Sequence, residues 1–264
     1  MADDLFSVAG QVVLVSGGTR GIGRGIAEGF AQRGAQVIIT GREQAAVDAA
    51  ARDIGSAVGT VRGLACDVAD PKAIEALTQQ VIQEFGRIDT LLNVAGVNRR
   101  MLAERLSEAD YDYILGINLK GPFLLSLAVG KHMLQRGRGN QINVVSLNNE
   151  RPLNGVMPYA VSKSGLGQMT RSLALEWGPR GIRVNAIAPG FILTDLTRKL
   201  WSQPKMQEWG QTNTPLRRLG KPEDMVGSAI YLASEASSFM TGQVLFIDGG
   251  FNCGLNWPID FENQ

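Results

Sequence analysis

Cysteine is nearly absent. Cys66 and Cys253 are the only two in 264 residues, too few and too far apart for a disulfide framework or a zinc site, so a reducing, cytoplasmic setting is expected. Histidine is scarcer still. The single one, His132, lies near the end of a helical stretch and is expected at a surface or in a last turn rather than in catalysis; no metal site is expected. An excess of either charge is also missing. The 26 basic residues stand against 25 acidic ones, a formal net charge of +1, which argues against a nucleic-acid surface or a polybasic membrane anchor. No continuous apolar run approaches the ~18 residues of a membrane span. Met1-Ala2-Asp3-Asp4 opens acidic, without the charged-then-apolar layout of a signal segment.

Glycine is what the chain has in quantity, 32 residues, together with short apolar runs between amphipathic stretches. Strands are predicted at Val12–Val15, Gln36–Thr40, Val61–Cys66, Thr90–Val94, Gln141–Ser146, Arg183–Ala188 and Val244–Ile247. Helices are predicted at Ile22–Arg33, Gln44–Ile54, Pro71–Phe85, Glu108–Arg136, Tyr159–Trp177 and Pro222–Ala233, with Asp70 capping the third ahead of Pro71. Strands that alternate with helices of ten or more residues predict βαβ units. The fold class is therefore α/β: one single-domain, Rossmann-like, doubly wound parallel sheet with helices on both faces, spanning residues 1–264. Phe191–Leu219 mixes Trp201, Trp209, Pro204 and Pro215 with polar residues and is expected to form a substrate lid, residues 191–219.

Two local patterns carry chemistry. Ser16-Gly17-Gly18-Thr19-Arg20-Gly21-Ile22-Gly23 joins the first strand to the first helix. Gly17, Gly21 and Gly23 permit a tight turn there and let backbone N–H groups approach a pyrophosphate at a helix N-terminus. The second pattern is Tyr159-Ala160-Val161-Ser162-Lys163, which on a helix sets a phenol and an ammonium one turn apart on one face. Bringing a phenol from ~10 to ~7 takes about 4 kcal/mol, roughly what one unit charge at ~4 Å supplies at an effective dielectric near 20. Such a phenol can donate and accept a proton.

The glycine loop, Asp67-Val68 after strand three, Asn93-Val94-Ala95-Gly96 after strand four, Asn118, Ser146, Tyr159, Lys163 and Pro189-Gly190 occur in the order found in short-chain dehydrogenases/reductases. From about Val8 to Gly250 the chain resembles that family. Two departures are small: Ser16 stands where Thr is usual, and Val94 replaces the second Asn of the usual Asn-Asn-Ala-Gly. The resemblance implies that Asn118, Ser146, Tyr159 and Lys163 are catalytic. Lys163 would also bind the nicotinamide ribose, Ser146 would hold the substrate oxygen, and Asn118 would anchor a water chain. It implies cofactor contacts from Gly17, Thr19, Arg20, Gly21, Ile22, Gly23, Asp67, Val68, Asn93, Ala95, Gly96, Tyr159, Lys163, Pro189, Gly190, Ile192 and Thr194.

The end of strand two separates the two nicotinamide dinucleotides. NAD enzymes place an acid there for the adenosine ribose, whereas this chain reads Ile39-Thr40-Gly41-Arg42. Arg42 and Arg20 can pair with a 2′-phosphate, so NADP(H) is favoured over NAD(H).

Substrate contacts are expected from Ser146, Asn148, Arg151 and Tyr159, with Asn98, Arg99, Leu147, Asn149, Glu150, Asn154, Met157, Leu196, Leu200 and Trp201 nearby. Arg99, Arg100 and Arg151 could meet a carboxylate, although Arg100 is as readily a solvated surface charge, and Asn148, Asn149 and Asn154 could meet hydroxyls. Arginines and asparagines of this kind suit a sugar acid or polyol. The runs Trp209–Met225 and Ala233–Gly250 are similar to the gluconate 5-dehydrogenase and 3-oxoacyl-carrier-protein reductase branches. A 3-oxoacyl thioester reductase and a non-catalytic dinucleotide-binding regulator are the alternatives. Family members are usually homotetramers. Residues 251–264 run past the usual family end, and Leu255, Trp257, Pro258, Ile259 and Phe261 are expected to pack on a neighbouring subunit or over the chain's own pocket.

Overall fold

The first strand, β1 (Val12–Ser16), is buried along its whole length. Side chains alternate between the two faces of a strand, so an unbroken apolar run requires cover on both sides. The computed structural model, which describes residues 4–58 and 60–254, supplies that cover. Six further strands join β1: β2 (Gln36–Gly41), β3 (Val61–Ala65), β4 (Thr90–Asn93), β5 (Gly139–Val144), β6 (Ile182–Pro189) and β7 (Val244–Ile247). All pairings are parallel, in the order β3-β2-β1-β4-β5-β6-β7.

Val13 and Val15 face one layer, built from Ile26 and Phe30 of α1 (Gly21–Ala31), Val47 of α2 (Gln44–Val58), and Met225 with Ala229. Val12 and Leu14 face the other, built from Leu77 and Val81 of α3 (Pro71–Phe85), Leu125 and Val129, and Leu173 with Trp177. Each such side chain stabilises the fold by roughly 1.5–3 kcal/mol when fully buried. The third helix begins as its sequence requires, with the Asp70 side chain accepting from Lys72 N at 2.9 Å, and it ends at Gly86 with φ 77°.

The long helix expected over Glu108–Arg136 is interrupted. It consists of α4 (Glu108–Leu115), a π turn (Gly116–Lys120) and α5 (Gly121–Arg136). The extra residue per turn faces Asn118 inward, with no exposed surface. This 29-residue stretch has the length and hydropathy of a membrane span although no continuous apolar run does. Half of its most apolar 18-residue window is buried, and its Leu125, Val129 and Met133 pack in the core. α6 (Met157–Trp177) lies beside it.

Residues 191–219 contain two helices, α7 (Arg198–Trp201) and α8 (Pro204–Asn213). Phe191 gathers them: its ring lies 5.2 Å from Trp201, 5.5 Å from Trp209 and 4.7 Å from Phe251. The chain then continues through α9 (Val226–Ala233) to β7. The expected packing of Leu255, Trp257, Pro258, Ile259 and Phe261 lies outside the described residues.

Candidate active site

The chain runs outward from β1 through β2 to β3, then returns to β4 on the other side of β1. Loops leaving the carboxyl ends of β1 and β4 diverge at that point, which is where open parallel sheets bind ligands. A cavity of about 560 Å³ sits there.

Its walls come from the loops that the sequence singles out. The β1–α1 loop contributes Gly17, Thr19, Arg20, Gly21, Ile22 and Gly23. A Cβ at Gly23 would stand 2.2 Å from the Gly17 carbonyl oxygen, and one at Gly17, where φ is +80°, would stand 2.7 Å from Ala95. Only glycine lets the backbone close this tightly. α1 starts without a side-chain cap and without an acid in its first turn, leaving N–H groups and the positive end of the helix dipole to face an anion. Arg42 joins from the end of β2, Asp67 and Val68 from β3, and Ala95 and Gly96 from β4. The buried Thr40 hydroxyl also lines the cavity and has no partner among the described residues. Pro189, Gly190, Ile192 and Thr194 close the far side. An anion cradle, two arginines at the end of β2 and β1, and a long cleft of mixed polarity fit a nicotinamide dinucleotide carrying a 2′-phosphate.

Ser146, Tyr159 and Lys163 stand together on the β5–α6 side of the same cavity. Ser146 follows β5, while Tyr159 and Lys163 occupy the first turns of α6. The ammonium is 5.7 Å from the centre of the Tyr159 ring, but its hydrogen bond goes to the Val144 carbonyl at 2.8 Å. Burial brings Lys163 down to about 8. Burial also raises the Tyr159 phenol; a hydrogen bond with Ser146 and the charge of Arg100 pull it the other way. The expectation that Lys163 directly lowers the phenol is thus not met by the protein groups alone. Its ammonium is turned toward the sheet, and low-dielectric surroundings disfavour the phenolate.

Asn118 does not line the cavity. Its amide clamps Val97, accepting from Val97 N and donating to Val97 O at 2.8 Å each, and it donates to Ser162 Oγ at 3.2 Å. Both the Asn118 side chain and the Lys163 ammonium stand against Gly96. Asn93, expected at the cofactor, turns its amide into the sheet instead, donating to Ser126 Oγ and Asn143 Oδ1.

Three expected substrate contacts are otherwise engaged. Arg151 donates to the carbonyl oxygens of Phe251 at 2.7 Å and Gly254 at 3.1 Å and lies over the Phe251 ring, so it fastens residues 251–254 to the body. Arg99 pairs with Asp110 and stacks on Tyr113. Asn148 is buried and bonds to Ser146 and Leu153 rather than lining the cavity. Arg100 also bears on the phenol, its charge pulling it down less than the Ser146 hydrogen bond does, and sequence spacing could not separate it from its neighbour. Thr197 was also not evident: its hydroxyl donates to Ile192 O at 2.6 Å and accepts from Thr194 N at 3.0 Å, bracing the loop after β6.

A family model described as enoyl-(acyl carrier protein) reductase matches residues 16–252. The chain is similar to the gluconate 5-dehydrogenase of Gluconobacter oxydans, at 36% identity over 252 residues, which is 96% of this chain and 98% of that protein. It is also similar to the D-threitol dehydrogenase of Mycolicibacterium smegmatis, at 41% identity over 246 residues, covering 93% and 94% of the two chains. Among solved structures, a gluconate 5-dehydrogenase from Burkholderia cenocepacia in complex with NADP and tartrate superposes with a TM-score of 0.93 at 33% identity, covering 97% of this chain and 100% of that one.

Proposed function

Because the chain belongs to the short-chain dehydrogenase/reductase family, we propose that it is an NADP(H)-dependent oxidoreductase interconverting a ketone and a secondary alcohol on a sugar acid or polyol. The observation that carries this reading is the meeting of Ser146, Tyr159 and Lys163 at one end of a cavity whose other walls are an uncapped helix terminus and a glycine cradle. A pure dinucleotide-binding regulator has no use for that end.

The bound dinucleotide supplies the hydride for carbonyl reduction and takes it back in alcohol oxidation. Tyr159 gives the phenol proton to the substrate oxygen in one direction and recovers it in the other. Ser146 donates a hydrogen bond to the same oxygen, so developing negative charge is met by an O–H already in place. Lys163 holds the nicotinamide ribose and keeps a buried positive charge below the Tyr159 ring, 5.7 Å from its centre. Asn118 keeps the loop at Val97 and the π turn in register behind them. Arg20 and Arg42 hold the 2′-phosphate, with the main chain of the β1–α1 loop on the diphosphate. Arg100, whose charge reaches the phenol, receives the carboxylate of an acidic substrate in place of Arg99 and Arg151.

The remaining organisation follows the same reading. One α/β domain carries residues 191–219 as a lid over the substrate end, braced by the Phe191 aromatic group. A homotetramer built through α5 and α6 accounts for the exposed Phe123, Val161 and Leu175 on those helices, and monomeric elution would overturn it. A cytoplasmic location agrees with two free thiols.

The test follows NADPH and NADH absorbance with keto-sugar acids, oxidised polyols and 3-oxoacyl thioesters. NADPH consumption with a keto-sugar acid or ketose is expected. Preference for the thioesters would overturn the substrate class, and NADPH binding without any turnover would move the reading to the regulator.

A further inference from the structure

Ser146 has one proton to donate and two lone pairs with which to accept. Both acceptor positions are taken by a single residue. The Asn148 backbone N–H and its side-chain Nδ2 each lie 3.2 Å from Ser146 Oγ. The orientation of that amide is fixed independently, because its other end, Oδ1, accepts from Leu153 N at 3.0 Å. Flipping the amide would set an oxygen lone pair against Ser146 and an N–H against an N–H, so Nδ2 must be the atom facing the hydroxyl. Asn148 is 6% exposed, and its geometry is not averaged by solvent.

We propose that Asn148 is a positioning residue that fixes the Ser146 hydroxyl as an obligate donor, aimed at the Tyr159 phenol oxygen and, when substrate is present, at the substrate oxygen. The inference rests on the reading of Ser146 and Tyr159 given above and adds a residue to it. An unrestrained serine hydroxyl can rotate and accept as well as donate, and half of that freedom opposes the reaction. With both lone pairs filled, the proton has only the cavity side left. The same arrangement explains why the phenol, raised by burial, is drawn down by its hydrogen bond with Ser146.

Two substitutions separate this role from simple bracing of the loop at Leu153. Asn148→Asp keeps the shape and still accepts from Leu153 N, but presents an acceptor to Ser146, so the hydroxyl turns away from the phenol. Asn148→Ala removes the lock and the Leu153 bond without reversing the hydroxyl. The groups facing Tyr159 are Lys163 from its own helix, Arg100 from the loop after β4 and Ser146 after β5, and neither substitution changes the charged ones.

Tyr159 ionisation is followed by phenolate absorbance, as the difference between each protein and its Tyr159→Phe counterpart. Asn148→Asp is expected to raise the midpoint by about one pH unit or more, Asn148→Ala by less. In a Ser146→Ala background the aspartate should shift the midpoint far less, since no hydroxyl remains to be reversed. With NADPH and a ketone substrate, kcat should fall about 100-fold for aspartate with NADPH affinity unchanged. An equal shift with and without Ser146 would mean a direct charge effect and overturn the proposal. So would greater damage from alanine than from aspartate, the result expected of a loop brace. If aspartate prevents folding, seen as loss of the melting transition, the alanine midpoint alone decides: no rise overturns the proposal. A fully active Ser146→Ala enzyme would overturn the underlying reading and the proposal with it. An inactive Ser146→Ala enzyme beside a harmless Asn148→Asp overturns the proposal alone.

Discussion

Lys163 donates its ammonium to the Val144 carbonyl at 2.8 Å, which ties the first turns of α6 to the carboxyl end of β5. The tie brings a cation beneath the phenol at a cost. Removal from water lowers Lys163 to about 8 from an ordinary value of 10.5, a penalty of about 3 kcal/mol at ~1.36 per pH unit.

A pH profile follows from that value. Below about 8 the free protein carries the Lys163 charge, and above it the charge is lost. With the phenol protonated throughout this range, kcat/KM for carbonyl reduction should be level below about 8 and fall as pH rises through it. Initial rates across a pH series check this; a rate that stays level well into the alkaline range would detach Lys163 from the reaction.

The same penalty predicts a stability effect. Between about 8 and 10.5 the unfolded chain holds a proton on Lys163 that the folded chain does not. Stability from this group is therefore lost as pH falls through that window, and the loss is complete below it. Lys163→Met should accordingly melt no lower than the wild type at neutral pH, the relief being offset in part by an unpaired Val144 carbonyl. Its kcat should drop by about 1,000-fold. A large fall in melting temperature would show that the ammonium stabilises the fold.

Tyr159→Phe removes the proton and leaves the ring. Turnover should fall by roughly 100- to 10,000-fold, while NADPH affinity by fluorescence titration stays within a few-fold. Strong residual activity would refute the role given to the phenol.

Gly23→Ala would press a methyl group to 2.2 Å from the Gly17 carbonyl. Backbone on both sides cannot yield cheaply, so NADPH affinity should fall at least about 10-fold with a lower melting temperature. Unchanged affinity would mean that the loop does not hold the diphosphate.

Arg42→Ala should weaken NADPH by about 10- to 100-fold, from ~1.5–3 kcal/mol for a charge-assisted hydrogen bond, and leave NADH nearly unaffected. Equal weakening of both would remove Arg42 from the phosphate clamp.

The sequence by itself determined the layers, the glycine turn and the candidate reacting residues. Unbroken apolar strands such as Val12–Val15 require two covered faces, a glycine loop between strand and helix admits few conformations, and Tyr159 and Lys163 share a helix face by periodicity alone. These are properties of the local chain. Tertiary structure decided what each side chain actually meets. Arg99, Arg100 and Arg151 read alike in one dimension, yet packing spends the first on Asp110 and the third on Phe251, while the charge of the second pulls the phenol down. Asn148 looked like a substrate contact until burial set it behind Ser146. Asn118 sat in an apparently continuous helix, and only the π turn showed how it faces inward. Long-range hydrogen-bond partners and desolvation depend on which loops fold over which strands, and no periodicity in the chain records that.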